Sequence, residues 1–88
     1  MKHAGDETLD LLEDLLREVR KHAALRERRR GAFYRKSVGI LHFHEDPAGL
    51  FADLKVDGEW RRYSINSKAE QKALKPFQPG LFDGLIDA

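Results

Sequence analysis

Leu50-Phe51-Ala52-Asp53-Leu54-Lys55-Val56-Asp57-Gly58-Glu59-Trp60-Arg61-Arg62-Tyr63-Ser64-Ile65 is the stretch that decides the fold. Asp57-Gly58 separates two runs of alternating character, and Asp-Gly suits a two-residue hairpin turn because both central positions require positive φ. The turn sets the register. Val56 faces Glu59, Leu54 faces Arg61, Ala52 faces Tyr63 and Leu50 faces Ile65, so Leu50, Ala52, Leu54, Val56, Tyr63 and Ile65 share one face. The opposite face receives Phe51, Asp53, Lys55, Trp60, Arg62 and Ser64, with Asp53 across from Arg62 and Lys55 against Trp60.

Upstream, residues 37–44 read as a third strand joined through Glu45-Asp46-Pro47-Ala48. A four-residue loop sends Leu41 and Phe43 to the core and Ile40, His42 and His44 to the polar face. A three- or five-residue loop would invert this and bury polar rings that need partners. Further upstream, Leu9, Leu12, Leu16, Val19 and Ala23 recur at helical spacing, widened by Leu11, Leu15 and Leu25. Acids fill the first turns, arginines the last, and Gly31 supplies a stop, so one helix is expected over residues 6–30. At about 37 Å it outreaches an eight-residue strand, and must overhang the sheet or break near Lys21-His22.

Downstream, Ser67-Lys68-Ala69-Glu70 reads as a capping box opening a short helix that stops before Pro76. The expected fold is α+β: a long N-terminal helix, a three-stranded antiparallel β-meander, a short second helix and an extended C-terminal tail, in the order α-β-β-β-α. Residues 1–75 form the single domain. Residues 76–88 form an apolar tail that is either a strap over the chain's own core or a docking peptide.

The 88 residues contain no cysteine, which excludes disulfides, thiolate metal sites and a cysteine nucleophile. Residues 1–7 lack the apolar run of a signal peptide, and no apolar stretch of about 18 residues is present to span a membrane, so a cytoplasmic protein is expected. A net charge of +1 hides a division: residues 6–18 carry six acids, and residues 20–36 carry eight Lys or Arg against Glu27 alone. A local basic patch can attract anions at near-zero net charge.

Three candidate surfaces follow. His42 and His44 alternate on a strand and project together, as a pair of metal ligands would. Their run, His42-x-His44-Glu45-Asp46, resembles the His-x-His-x-Asp segment of metallo-β-lactamase-type hydrolases, although Pro47 stands where a further histidine belongs and the chain is too short for that fold. The basic run Arg26, Arg28, Arg29, Arg30, Arg35 and Lys36, joined by Phe51, Lys55, Trp60 and Arg62, offers cations for phosphates and rings for bases. The element order also resembles the double-stranded-RNA-binding domain, from which the chain departs in its longer first helix and in lacking a Lys-Lys pair at Ser67-Lys68-Ala69-Glu70.

In the tail, Gln78-Pro79-Gly80-Leu81-Phe82 resembles the Gln-x-x-Leu-Phe peptide by which bacterial replication and repair proteins dock on the sliding clamp. That resemblance implies a polar pocket for Gln78 and an apolar one for Leu81 and Phe82. Residues 42–54, HFHEDPAGLFADL, are similar to a family of small bacterial proteins that share this hairpin, and this similarity implies no activity. The sequence therefore points first to a non-enzymatic interaction module without a cofactor. A nucleic-acid-linked accessory protein with a partner-docking tail is the alternative, and a His-based metal-dependent hydrolase the third. A homodimer is expected, pairing through the open face with Ile40, Phe51 and Trp60 or through the overhanging helix.

Overall fold

The computed structural model describes residues 2–74. It contains β1 (Lys2–His3), α1 (Asp6–Leu11), α2 (Glu13–Arg20), β2 (Arg26–Arg29), β3 (Ala32–Arg35), β4 (Val38–Asp46), β5 (Gly49–Val56), β6 (Glu59–Ser64) and α3 (Lys68–Leu74). The strands form one antiparallel sheet in the order β2-β3-β4-β5-β6, with β1 paired to β4. This corrects the expected long helix and three-stranded meander. The helical segment is a short pair, and the sheet has six strands, five of them in a continuous order, where three were expected.

The first half of the expected helix is present in two pieces. Leu12, at φ −102° and ψ 10°, interrupts it, while Leu9, Leu12, Leu15, Leu16 and Val19 are all buried. The second half is a β-hairpin. Leu25, counted as part of the helical stripe, is instead a buried anchor in the connection, and Arg26 begins an edge strand. Gly31 is not a helix stop but a turn residue at φ +81°, and a Cβ there would stand 2.8 Å from Leu9 Cδ2, so the hairpin meets α1 at a glycine. Glu27 explains why the arginine run leaves the helix: its carboxylate accepts from Arg20 Nε at 2.6 Å and from the Gly31 amide at 2.9 Å, tying the turn to α2. An alternating Ala32-Phe33-Tyr34-Arg35 follows, and Phe33 is 1% exposed in the core.

From β4 onward the expected pairing holds. Asp57 at φ 51° and Gly58 at φ 82° make the tight turn, and Val56↔Glu59, Leu54↔Arg61 and Ala52↔Tyr63 are in register. The Ile65 amide donates to the Leu50 carbonyl at 3.0 Å. The preceding turn is shorter than expected, because Asp46 pairs with Gly49 and only Pro47-Ala48 lie between. Glu45 and Asp46 both join β4, and a shift of two residues preserves parity, so Leu41 and Phe43 still face the core and His42 and His44 still face away.

Ile40 does not remain on the polar face. Phe33 pairs with Leu41 but Tyr34 with Gly39, so Ile40 is the extra residue of a β-bulge and turns inward, 6% exposed.

All three helices lie on one side of the sheet. Leu9, Leu12, Leu15, Leu16 and Val19 meet Phe33, Leu41, Phe43, Ala52, Leu54, Ile65 and Leu74 in one core. Full burial of each such large side chain stabilises the fold by about 1.5–3 kcal/mol. The capping box is formed: the Glu70 amide donates to Ser67 Oγ at 3.1 Å, and the Ser67 amide to Glu70 Oε1 at 3.2 Å. None of the described helices is long and apolar enough to cross a membrane. The expectations for the tail, including Gln78, Leu81 and Phe82, fall outside the described residues.

Candidate nucleic-acid interface

Strand alternation leaves the side of the sheet opposite the helices with a distinct chemistry. Three rings stand in a row across it. Trp60 leans over β5 toward His42, with ring centroids 5.4 Å apart, and His42 lies 5.8 Å from Tyr34 on β3. A cation stands at each end of the row: Arg28 is 4.9 Å from the Tyr34 ring centre, and Lys55 is 5.7 Å from that of Trp60. Beside the row, Arg62 lies 5.9 Å from the Phe51 ring centre. Such cation–ring contacts hold long side chains over the sheet while leaving their charge toward solvent. Trp60 is 48% exposed.

The registers add Arg26, which pairs with Tyr34, and Arg29, which pairs with Ala32 and thereby shares a face with His42. Among the described residues this side thus carries five cations, Arg26, Arg28, Arg29, Lys55 and Arg62, against two carboxylates. Asp53 is already engaged, accepting two bonds of 2.8 Å from Arg62, and Asp46 at the rim accepts from the Ala48 amide at 2.6 Å. The Arg62 bonds hold the Asp53 carboxyl below its ordinary range, despite a partial burial that works the other way.

Three imidazoles share the centre of the face. The sequence reading found two of them; the third is His3 on β1, which pairs with His44. The His3 ring lies 4.6 Å from that of His44 and 5.6 Å from that of His42. His42 has its pKa lowered from the ordinary 6.5, chiefly by burial and then by the charges of His3, His44 and Arg29, and His3 is lowered for the same leading reason. His42 Nε2 is buried without a hydrogen-bond partner; its ring lies over Gly39, where an added Cβ would come within 3.3 Å. His44 Nδ1 is 3.0 Å from Asp53 Oδ2, yet its direction does not make a hydrogen bond.

Among the described residues no group of three or more His, Cys, Asp or Glu is arranged to hold a metal ion, and the rings of His42 and His44 both lie against that of His3. Where β1 and β3 share one edge of β4, a cleft of about 310 Å³ opens beside that cluster, lined by His3, Leu9, Arg29, Gly31 and His42 among others.

The expected basic surface is therefore only partly assembled here. Phe51, Arg28, Arg29, Lys55, Trp60 and Arg62 come together. Arg30 does not: it turns to the helix side, 2.8 Å from Asp10, 3.1 Å from Glu13 and 3.4 Å from Asp6. Arg35 follows Tyr34 on the same strand and so belongs by alternation to the helix side. Tyr34 and His3 were missed. The alternation after Gly31 could have revealed Tyr34, whereas nothing local marks His3 as a sheet residue. Searches against models of protein families, curated proteins and solved structures found no match to the chain.

Proposed function

We propose that this protein is a non-enzymatic binding module of the cytoplasm, and that its contact surface is the helix-free side of the sheet, directed at a polyanionic partner. The observation that carries the reading is the separation of charge between the two sides. On the helix side two arginines are held in carboxylate pairs, Arg20 with Glu13 and Glu27, and Arg30 with Asp6, Asp10 and Glu13. On the open side, among the described residues, five cations meet two carboxylates, an excess of three positive charges, and most of those cations rest on rings. Cations supported in this way attract polyanions at long range, with strong dependence on salt. The same excess opposes pairing two copies of this face with each other, since like charges would meet.

The test is binding to heparin, a polyanion without bases, at two salt concentrations. The expected result is an affinity that falls steeply with salt and is lost in a triple charge reversal, Arg28→Glu, Lys55→Glu and Arg62→Glu. Reversal of the helix-side residues Arg17 and Lys21 should leave it unchanged. Equal loss from both sets of reversals would refute the assignment to the open side.

A further inference from the structure

Charge alone would be met by any polyanion, but the rings narrow the class of partner. An acidic peptide or a sulfated sugar would engage Arg28, Lys55 and Arg62 and have little use for an aromatic row with a half-exposed tryptophan at its end. A nucleic-acid duplex keeps its base faces stacked inside, out of reach of a row of rings on the face of a sheet. Unpaired bases supply what both alternatives lack, because every base has a flat face that stacks on a ring whatever its sequence.

The geometry points to a single-stranded nucleic acid as the partner, with its bases laid on the row Tyr34–His42–Trp60 and its phosphates reaching the cations around the row, Arg28 at one end, Lys55 at the other and Arg62 beside it. This rests on the reading of the open side as a polyanion surface. The spacings of 5.4 and 5.8 Å between successive rings give room for about two or three splayed bases. His42 is the adaptable member. Its Nε2 makes no hydrogen bond, so its ring is positioned by Tyr34, Trp60, His3 and the bare backbone of Gly39, and no bond within the protein must break for it to tilt toward a base. Sequence preference should be weak, since the row offers ring faces rather than a set of donors and acceptors.

The experiment titrates the full chain with labelled oligothymidylate, with a duplex of the same length and with heparin as a separate probe. Trp60 is the single tryptophan, so its fluorescence reports stacking directly. The expected result is quenching of Trp60 by the single strand, and about tenfold weaker binding of the duplex. Trp60→Ala should weaken the single-strand complex by roughly 5- to 150-fold and leave heparin binding unchanged. Tyr34→Leu should act in the same direction, and circular dichroism confirms that both variants fold.

Gly39→Ala provides a variant that deletes no ring. It crowds His42 and should weaken the single strand alone. If single strand, duplex and heparin bind alike and Trp60→Ala changes none of them, the ring row is not a base platform, though the polyanion surface stands. If heparin and both nucleic acids fail to bind, the surface assignment itself is overturned.

Discussion

The two sides of this sheet are built from the same strands and differ in every other residue. On the helix side, Leu41, Phe43, Ala52 and Leu54 are at most 2% exposed, and the surrounding charges are matched. On the other side, their immediate neighbours His42, His44, Asp53 and Lys55 are only partly covered, and positive charge exceeds negative. The first arrangement stabilises the fold through packing. The second gives little packing and keeps rings and cations available to a partner, so mutations on the two sides should separate stability from binding.

The largest effect is expected from the buried side. Phe33→Ala removes a ring that is 1% exposed and should cost about 3–5 kcal/mol in urea unfolding. A cost below 1 kcal/mol would mean that β3 is not integral to the core. Next come two glycines with nearly the same backbone. Gly31 and Gly58 have φ of 81° and 82°, but an alanine side chain meets Leu9 at the first and nothing within 4 Å at the second. Gly58→Ala should therefore cost about 1 kcal/mol for its left-handed conformation alone, and Gly31→Ala measurably more. Equal costs would show that Leu9 yields freely.

A pH titration probes the open side. His42 and His3 have folded-state pKa values below the ordinary 6.5, so the unfolded chain takes up protons first. Their contribution to stability is fully present above pH 6.5 and is lost as pH falls through the lowered values. His42→Phe should flatten this acid dependence in urea melts recorded from neutral pH downward; an unchanged slope would assign it elsewhere. The groups around His42 that bear on this are His3, His44, Arg29 and Asp53. The smallest effect is expected from Trp60→Ala, whose ring is 48% exposed and whose loss should change stability by no more than about 0.5 kcal/mol.

The part of the fold that was legible lies after residue 37, because Asp57-Gly58 and the Ser67–Glu70 box are short-range signals whose geometry does not depend on distant contacts. Parity then carried the faces of β4 through a turn shorter than expected. The segment from residue 21 to residue 35 was misread for a physical reason: leucines at three- and four-residue spacing followed by arginines suit a helix end as well as a loop anchor and a charged edge strand. What decides between them is the carboxylate of Glu27 bridging Arg20 and Gly31, a tertiary contact.

The candidate site inherited that pattern. Trp60, Arg62, Lys55, Phe51, His42 and His44 were placed together by strand register, Tyr34 was lost with its strand, and Ile40 was misplaced because a bulge breaks parity without leaving a mark in composition.

Among the described residues the strand order ends in β2 and β6, each paired along one side only. Both are poor templates for another chain. β2 is three arginines and one glutamate with a register shift in the middle, and β6 begins Glu59-Trp60-Arg61-Arg62, so an incoming strand would face guanidinium groups along either rim. Charge and irregularity at a margin block strand-by-strand growth into fibrils. Arginines proposed to meet a polyanion would, at these rims, also oppose the addition of one copy to another.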